Sequence, residues 1–342
     1  MTVLDFFTSP IGLGHATRDV AIAKNLTKIR PRFITGGVAA QFLEKSGFEV
    51  IDVYRPPEFA VEYGTLKKST RWLWNYYKYY KECKKISAKI IESDNPDVII
   101  SDEDFASLDI AQKIKIPTIL ITDILETRFT GGVTSFVEKK MNRSMMGMVK
   151  KCNTVIIPEI GEDSENIKRV GPIVRQTDTS RDKLRKRYSF DKDIVLVTVG
   201  GTNAGTFLIE RILEAFSKIK CDADLVLVSG PSIRKKFDSH IRNMGTVNNL
   251  HEVIFASDVV VSLAGRSTID ETNSYGTPGI FIPIKGHFEQ EDNAKREGFT
   301  FDDINRLDEL IPEKLGEKRG PISCGGVNTA SKIIRDIIKS NP

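Results

Sequence analysis

Short runs of β-branched and other apolar residues alternate along nearly the whole chain with longer stretches of helical periodicity. That alternation commits the chain to parallel α/β sheet. The runs Val3 to Phe7, Arg32 to Thr35, Glu49 to Val53, Val98 to Ser101, Thr118 to Ile121 and Val155 to Ile157 are predicted strands. Ala16 to Leu26, Ala39 to Ser46 and Ala106 to Lys113 carry helical patterns between them. Several of the strand runs are apolar without polar alternation, as expected of strands covered on both faces. From Glu159 to about Phe190 the rhythm gives way to charge and to the breakers Gly171-Pro172 and Thr177-Asp178-Thr179-Ser180. A second cycle follows: Ile194 to Val199, Phe207 to Lys218, Leu225 to Ser229, Val259 to Ser262 and Ile280 to Ile284. The expectation is two doubly wound parallel-sheet domains, 1–170 and 171–330, with a terminal helix in 331–342 packing back toward the first.

With 342 residues the chain is long for one core, which agrees with two domains. Its formal net charge of +4 is too small to imply nucleic acid binding, and none is expected. Cys83, Cys152, Cys221 and Cys324 are widely spaced and form no CxxC pair. Neither a zinc site nor a disulfide framework is indicated, and a reducing cytoplasm fits. No apolar run is long enough to cross a bilayer, and the N-terminus lacks the features of a signal peptide.

Chemistry concentrates near the C-terminus. After the strand Val259 to Ser262 come the turn Ala264-Gly265 and then Arg266-Ser267-Thr268, with Ser267 or Thr268 expected to cap a helix that carries Asp270 and Glu271. A helix start favours an anion through its backbone N–H groups and dipole, and Arg266 adds a cation suited to a diphosphate. Glu271 could accept hydrogen bonds from both hydroxyls of a ribose; Glu289 and Gln290, beyond the next strand, could do the same for a hexose. The same residues could equally form a plain strand-loop-helix unit.

Two more Gly-rich loops follow predicted strands. Ser9-Pro10-Ile11-Gly12-Leu13-Gly14-His15-Ala16-Thr17 begins like a dinucleotide fingerprint, but Thr17 replaces the third glycine and no carboxylate ends the second strand. NAD is therefore disfavoured. Gly200-Gly201-Thr202-Asn203-Ala204-Gly205 lacks the Lys-Ser/Thr pair of a P-loop and suits an uncharged phosphate or sugar contact.

Gly12-Leu13-Gly14-His15, the Gly200 to Gly205 loop, Ala264 to Glu271 and His287-Phe288-Glu289-Gln290 to Asn293 together resemble the GT-B glycosyltransferases, nearest to MurG-like enzymes and also to UDP-glycosyltransferases. The resemblance covers almost the full chain and is strongest from Ile194 to Gly298. It implies two Rossmann-like domains facing a cleft, the C-terminal one holding a UDP-sugar and the N-terminal one the acceptor, with no metal or cofactor. On this resemblance Glu271 is the ribose carboxylate, Gly265, Arg266, Ser267 and Thr268 cradle the diphosphate, and Val247 reads uracil through its backbone. Glu289 and Gln290 hold sugar hydroxyls; Gly14, Gly201, Thr202, Asn203, His287 and Asn293 complete the donor set. The chain differs at Leu263, where plant and animal UDP-sugar enzymes place a histidine, and in its shorter spacing from His287 to Asn293.

His15 is the candidate catalytic base, because imidazole titrates near working pH and sits at the tip of the first loop. It could instead cap the following helix. Asp102 or Asp104, at the end of a strand, could orient it or could cap a helix themselves. His240 and His251 read as surface residues. The segment around Arg71, Trp72, Trp74, Tyr76 and Tyr77 mixes aromatic rings with cations, as does a contact with anionic membrane; a domain-packing helix is the plainer reading. The expected activity is inverting, metal-independent transfer of a hexose or N-acetylhexosamine from a UDP-sugar to an acceptor hydroxyl, with a lipid-linked acceptor among the options. The expected location is the cytoplasm, with peripheral membrane contact as an option. A UDP-GlcNAc 2-epimerase and a non-catalytic sugar-nucleotide-binding subunit are the alternatives.

Overall fold

The computed structural model describes residues 3–340 other than 28, 68–69, 129–134, 202, 231–240 and 323. The chain forms two α/β units. The first comprises residues 1–58, 68–174 and 324–342, and the second 59–67 and 175–323.

In the first unit the chain runs β1 (Leu4–Thr8), α1 (Gly14–Asn25), β2 (Arg32–Thr35), α2 (Gly37–Lys45) and β3 (Glu49–Asp52). It then leaves for the second unit, where β4 (Val61–Glu62) and β5 (Thr65–Leu66) make a small hairpin. It returns with α3 (Thr70–Asp94), β6 (Val98–Asp102), α4 (Phe105–Lys113), β7 (Thr118–Ile121), α5 (Ser135–Val149), β8 (Thr154–Ile157) and β9 (Ile167–Arg169). The strands pair in parallel in the order β3-β2-β1-β6-β7-β8-β9. Side chains alternate across this sheet. Phe6 enters a core shared with Ala16, Val20 and Leu43 of α1 and α2, and Phe7 enters the opposite core with Cys83, Ile91 and Ala106.

The second unit comprises α6 (Arg181–Tyr188), β10 (Asp193–Thr198), α7 (Thr206–Phe216), β11 (Ala223–Val228), β12 (Arg242–Asn243), α8 (Leu250–Ala256), β13 (Val259–Leu263), α9 (Arg266–Tyr275), β14 (Gly279–Ile282), α10 (Phe288–Arg296) and α11 (Leu307–Leu315). Its parallel order is β12-β11-β10-β13-β14. The last helix, α12 (Gly326–Ser340), returns to the first unit. Ala330, Ile334 and Ile338, four residues apart, put one stripe into the core beside α1. Ser331 Oγ donates to the Ile22 carbonyl there.

Two features depart from the expected layout. The polar stretch before residue 190 contains β9 and α6, and the chain changes units between Val174 and Arg175, beyond the expected cut at 170. Residues 59–67 belong to the second unit: Leu66 N donates to the Lys285 carbonyl at 2.9 Å, and Lys285 N to the Gly64 carbonyl at 2.8 Å. A run as short as β4–β5 gives no periodic signal.

Candidate active site

The carboxyl ends of β1, β6 and β7 gather a buried charged network. Parallel pairing puts Thr8 beside Asp102 and Asp102 beside Ile121, so the loops after these strands open at one edge of the sheet. Gly12 makes the turn into α1 at φ 77°, a conformation glycine adopts without cost. His15 lies in the first turn of α1, and its Nδ1 is 2.8 Å from Asp102 Oδ1. Arg18, one turn further on the same face, donates from Nε to Asp102 Oδ2 at 2.6 Å and from Nη1 to Asp123 Oδ2 at 2.7 Å. Arg18 Nη2 also pairs with Asp102 Oδ1 and lies 3.1 Å from His15 Nδ1. Since Nδ1 cannot both donate to the carboxylate and accept from the guanidinium, the shorter contact assigns its proton to the Asp102 side. His15 Nε2 then faces Glu103 Oε2 at 3.7 Å.

The electrostatics follow from burial. Arg18 is 4% exposed and Asp102 not at all. Burial alone would raise Asp102, but Arg18 and His15 hold it well below the usual carboxylate range. Burial disfavours the charged His15 ring, yet Asp102 and Glu103 outweigh it and push His15 up to about 9. Asp19, raised by burial and by neighbouring Asp102, accepts from Thr8 Oγ1 at 2.6 Å.

Asp102 therefore stands against His15, whereas Asp104 does not. Asp104 accepts the Ala106 N–H as N-cap of α4 and the Tyr54 hydroxyl at 2.9 Å. Its position two residues beyond Asp102 turns it toward the helix. The charge network that sequence reading missed consists of Arg18, Glu103 and Asp123. Arg18 had a signal in its i, i+3 spacing from His15, and Asp123 in its place just past a strand.

Beside this network Ser9, Ile11, Tyr76, Tyr79, Tyr80, Glu103 and Phe105 line a small, open pocket. Tyr76 thus faces inward, and Trp72 stacks on it with centroids 5.2 Å apart, so neither belongs to an outer face. Trp74 and Tyr77, 57% and 46% exposed, do point outward, with Lys78 over the Trp74 ring and Lys81 over the Tyr77 ring. The Arg71 side chain lies outside the described residues. No described helix is long and apolar enough to cross a membrane.

In the second unit the candidate donor residues lie on the loops and helices that follow parallel strands. Gly265, not Ser267 or Thr268, is the N-cap of α9, and no side chain caps that start. Helical geometry begins at Arg266, because the short turn leaves no room for a capping hydroxyl further on. Arg266 Nε bonds Asp270 Oδ2 at 2.9 Å. Glu271 is 5% exposed and forms a fork with Arg175, Nε to Oε1 at 2.8 Å and Nη2 to Oε2 at 3.2 Å. Arg175 Nη1 also donates to the Asn248 carbonyl at 2.6 Å, joining Glu271 to the loop that carries Val247. The fork occupies part of the carboxylate's acceptor capacity, and the remaining lone pairs can still receive hydroxyls.

His287 is the N-cap of α10, accepting from Gln290 N, and its ring lies 6.1 Å from Phe59 of the β4 segment. Gln290 Oε1 accepts from Ile284 N at 3.0 Å, which turns its NH₂ outward from that bond. Asn293 Nδ2 donates to the Ala264 carbonyl at 3.3 Å and ties α10 to the turn before α9. Glu289 lies half-buried in the first turn of α10. Gly14 opens α1 and belongs to the first unit. Gly201 follows β10, while Thr202, the Asn203 side chain and His240 lie outside the described residues. His251 is 7% exposed and stacks with Tyr275, so it is a core residue rather than the surface one expected; α8 turns it inward. Among the described residues no group of three or more His, Cys, Asp or Glu is placed to hold a metal ion.

Residues 194–318 match the glycosyltransferase family 28 C-terminal domain. An uncharacterized glycosyltransferase of Methanopyrus kandleri is 28% identical over 61% of this chain and 62% of its own length. A UDP-N-acetylglucosamine–N-acetylmuramyl-(pentapeptide) pyrophosphoryl-undecaprenol N-acetylglucosamine transferase of Exiguobacterium is 24% identical over 79% and 76%. Among solved structures, the kitacinnamycin glycosyltransferase superposes with a TM-score of 0.65 at 14% identity, covering 99% of this chain and 95% of that one. The calicheamicin glycosyltransferase gives 0.64 at 13%, covering 99% of each chain. Two parallel α/β units, the family 28 domain and these relatives converge: the chain is a glycosyltransferase of GT-B type.

Proposed function

We propose that the protein moves a hexose or N-acetylhexosamine from a UDP-sugar to an acceptor hydroxyl by a single displacement with inversion and without metal. The observation that carries this reading is the His15–Asp102 pair. An imidazole oriented by a buried carboxylate at Nδ1 presents Nε2 to a hydroxyl and takes its proton as the oxygen attacks the anomeric carbon. The second unit would bind the donor. The start of α9 with Arg266 stabilises the departing diphosphate, Glu271 holds the ribose, the Val247 backbone meets the base, and Glu289, Gln290 and Asn293 meet the sugar.

The lipid in the name of the Exiguobacterium relative supports a lipid-linked acceptor here, with Trp74, Tyr77, Lys78 and Lys81 resting on anionic headgroups of the cytoplasmic leaflet. Cys83 and Cys152 are buried thiols, in keeping with a reducing compartment. A second reading, epimerisation of a UDP-sugar, draws on the fold likeness to a Listeria monocytogenes chain assigned as a UDP-N-acetylglucosamine 2-epimerase, at a TM-score of 0.61. Product analysis separates the two, since an epimerase releases a free sugar or isomer and no glycoside.

The test pairs two variants. His15→Ala should lose turnover by about 10²- to 10⁴-fold while binding UDP as before. Glu271→Ala should weaken UDP binding by about tenfold or more in calorimetry, the loss of a hydrogen bond to a charged acceptor. Undiminished transfer by His15→Ala removes the base assignment.

A further inference from the structure

Glu103 is a charged residue of the first unit's network that the transfer step above does not use. It follows β6 at φ 53°, a left-handed conformation that residues other than glycine adopt seldom. Two donors fix its Oε1, Thr122 Oγ1 and Asp123 N, each at 3.0 Å. Its Oε2 stands 3.7 Å from His15 Nε2, and the side chain forms part of the wall of the tyrosine-lined pocket. His15 thus has a carboxylate opposite each ring nitrogen, Asp102 at Nδ1 and Glu103 at Nε2. A separation of 3.7 Å is too long for a direct hydrogen bond, yet an oxygen entering from the pocket can sit about 2.8 Å from Nε2 beside it.

We propose that Glu103 is a positioning residue for His15, holding its Nε2 face toward the tyrosine pocket and neutralising the imidazolium that forms when the acceptor hydroxyl gives up its proton. The inference rests on the transferase reading for the identity of that hydroxyl. In the step, the acceptor O–H bond breaks as Nε2–H forms. The oxygen's electron pair makes the new bond to the anomeric carbon, and the old bond to the diphosphate oxygen breaks with its pair leaving on the nucleotide. The positive charge then on the ring lies between two carboxylates.

The charges facing His15 come from three elements. Asp102 and Glu103 stand at the end of β6, Arg18 and Asp19 on α1, and Asp123 after β7; Asp104 is turned away into the α4 cap, and Tyr76 of α3 faces Glu103 across the pocket. Arg18 is held by Asp102 and Asp123, so it offsets only part of the negative charge around the ring. Removing the Glu103 charge leaves Asp102 as the carboxylate against the ring, with Arg18 opposing the imidazolium.

The experiment is an NMR titration of the His15 ring in ligand-free, isotope-labelled protein, with His15→Gln identifying its signal. The wild-type midpoint is expected near 9. In E103Q it should fall by about one unit or more, toward the ordinary histidine value. E103D keeps the charge at shorter reach and should lie between, which decides the matter if E103Q does not fold. In turnover of UDP-N-acetylglucosamine, the rising limb of kcat/KM against pH should move down with the midpoint, and its plateau should fall about tenfold. An E103Q midpoint equal to that of wild type overturns the proposal. The titration needs neither donor nor acceptor, so a shifted midpoint in a protein that transfers no sugar would strike the transferase reading alone.

Discussion

The two units carry their polar groups in opposite ways. In the first, side chains far apart in sequence meet in one buried cluster: Arg18, His15, Asp102, Glu103 and Asp123, with acids outnumbering the guanidinium. In the second, the candidate donor residues come from short contiguous stretches and lean on backbone groups, with Glu271 already matched by Arg175. The first arrangement gathers unbalanced charge, as the proton transfer proposed for His15 would need. The second pairs its buried carboxylate with an arginine, as the donor binding proposed for it would need.

The sharpest break of that contrast is the loss of each unit's buried arginine. Arg18→Met strands Asp102 and Asp123 without their cation and should cost about 3–5 kcal/mol in denaturant unfolding. Arg175→Met strands one carboxylate, Glu271, and should cost less. Equal losses would mean that the two sites are built alike. A smaller effect separates them by pH. His15 is raised in the folded protein, so its stabilisation is fully present below its unfolded value near 6.5 and disappears as pH climbs through about 9. The stability of wild type relative to His15→Gln should decline across that window in urea titrations at successive pH values. Asp102 has the opposite sign: its contribution holds above the unfolded carboxylate range and fades as pH falls below about 4. The smallest effect lies on the outer face of α3. Trp74→Ala with Tyr77→Ala should leave stability within about 0.5 kcal/mol and reduce sedimentation with anionic vesicles, and equal sedimentation sinks the membrane reading.

The same contrast explains what could be read from the chain beforehand. Most of the β10 to β14 unit was legible because β10, β11, β13 and β14 are largely apolar and its loops carry glycine at fixed offsets, so Gly265, Arg266 and Glu271 could be placed by counting, whereas the polar pair of β12 gave no strand signal. The cap of α9 was misassigned because a hydroxyl residue at the start of a helical pattern looks like a cap whether or not the backbone has already turned at Gly265. The His15 site was half legible. A histidine in a Gly-rich loop and an acid at a strand end are local signals, but which of Asp102 and Asp104 meets the ring depends on pairing between β1 and β6. Arg175 gave no sign, since nothing local tells that the first residue past the change of units will reach both Glu271 and Asn248. The aromatic helix was read as one face when it has two, because Trp72 and Tyr76 lie on the side that packs and Trp74 and Tyr77 on the side that does not.

The chain passes from one unit to the other after residues 58, 67, 174 and 323. A fragment ending at 170 would therefore lack α12 and bare the apolar stripe on α1 that Ala330, Ile334 and Ile338 cover. A fragment starting at 171 would lack the short hairpin that pairs with Lys285. Neither half is a free-standing cassette: exchanging one unit between relatives needs several splice points, and a ribosome cannot complete the first unit until it has passed through the whole of the second and made α12.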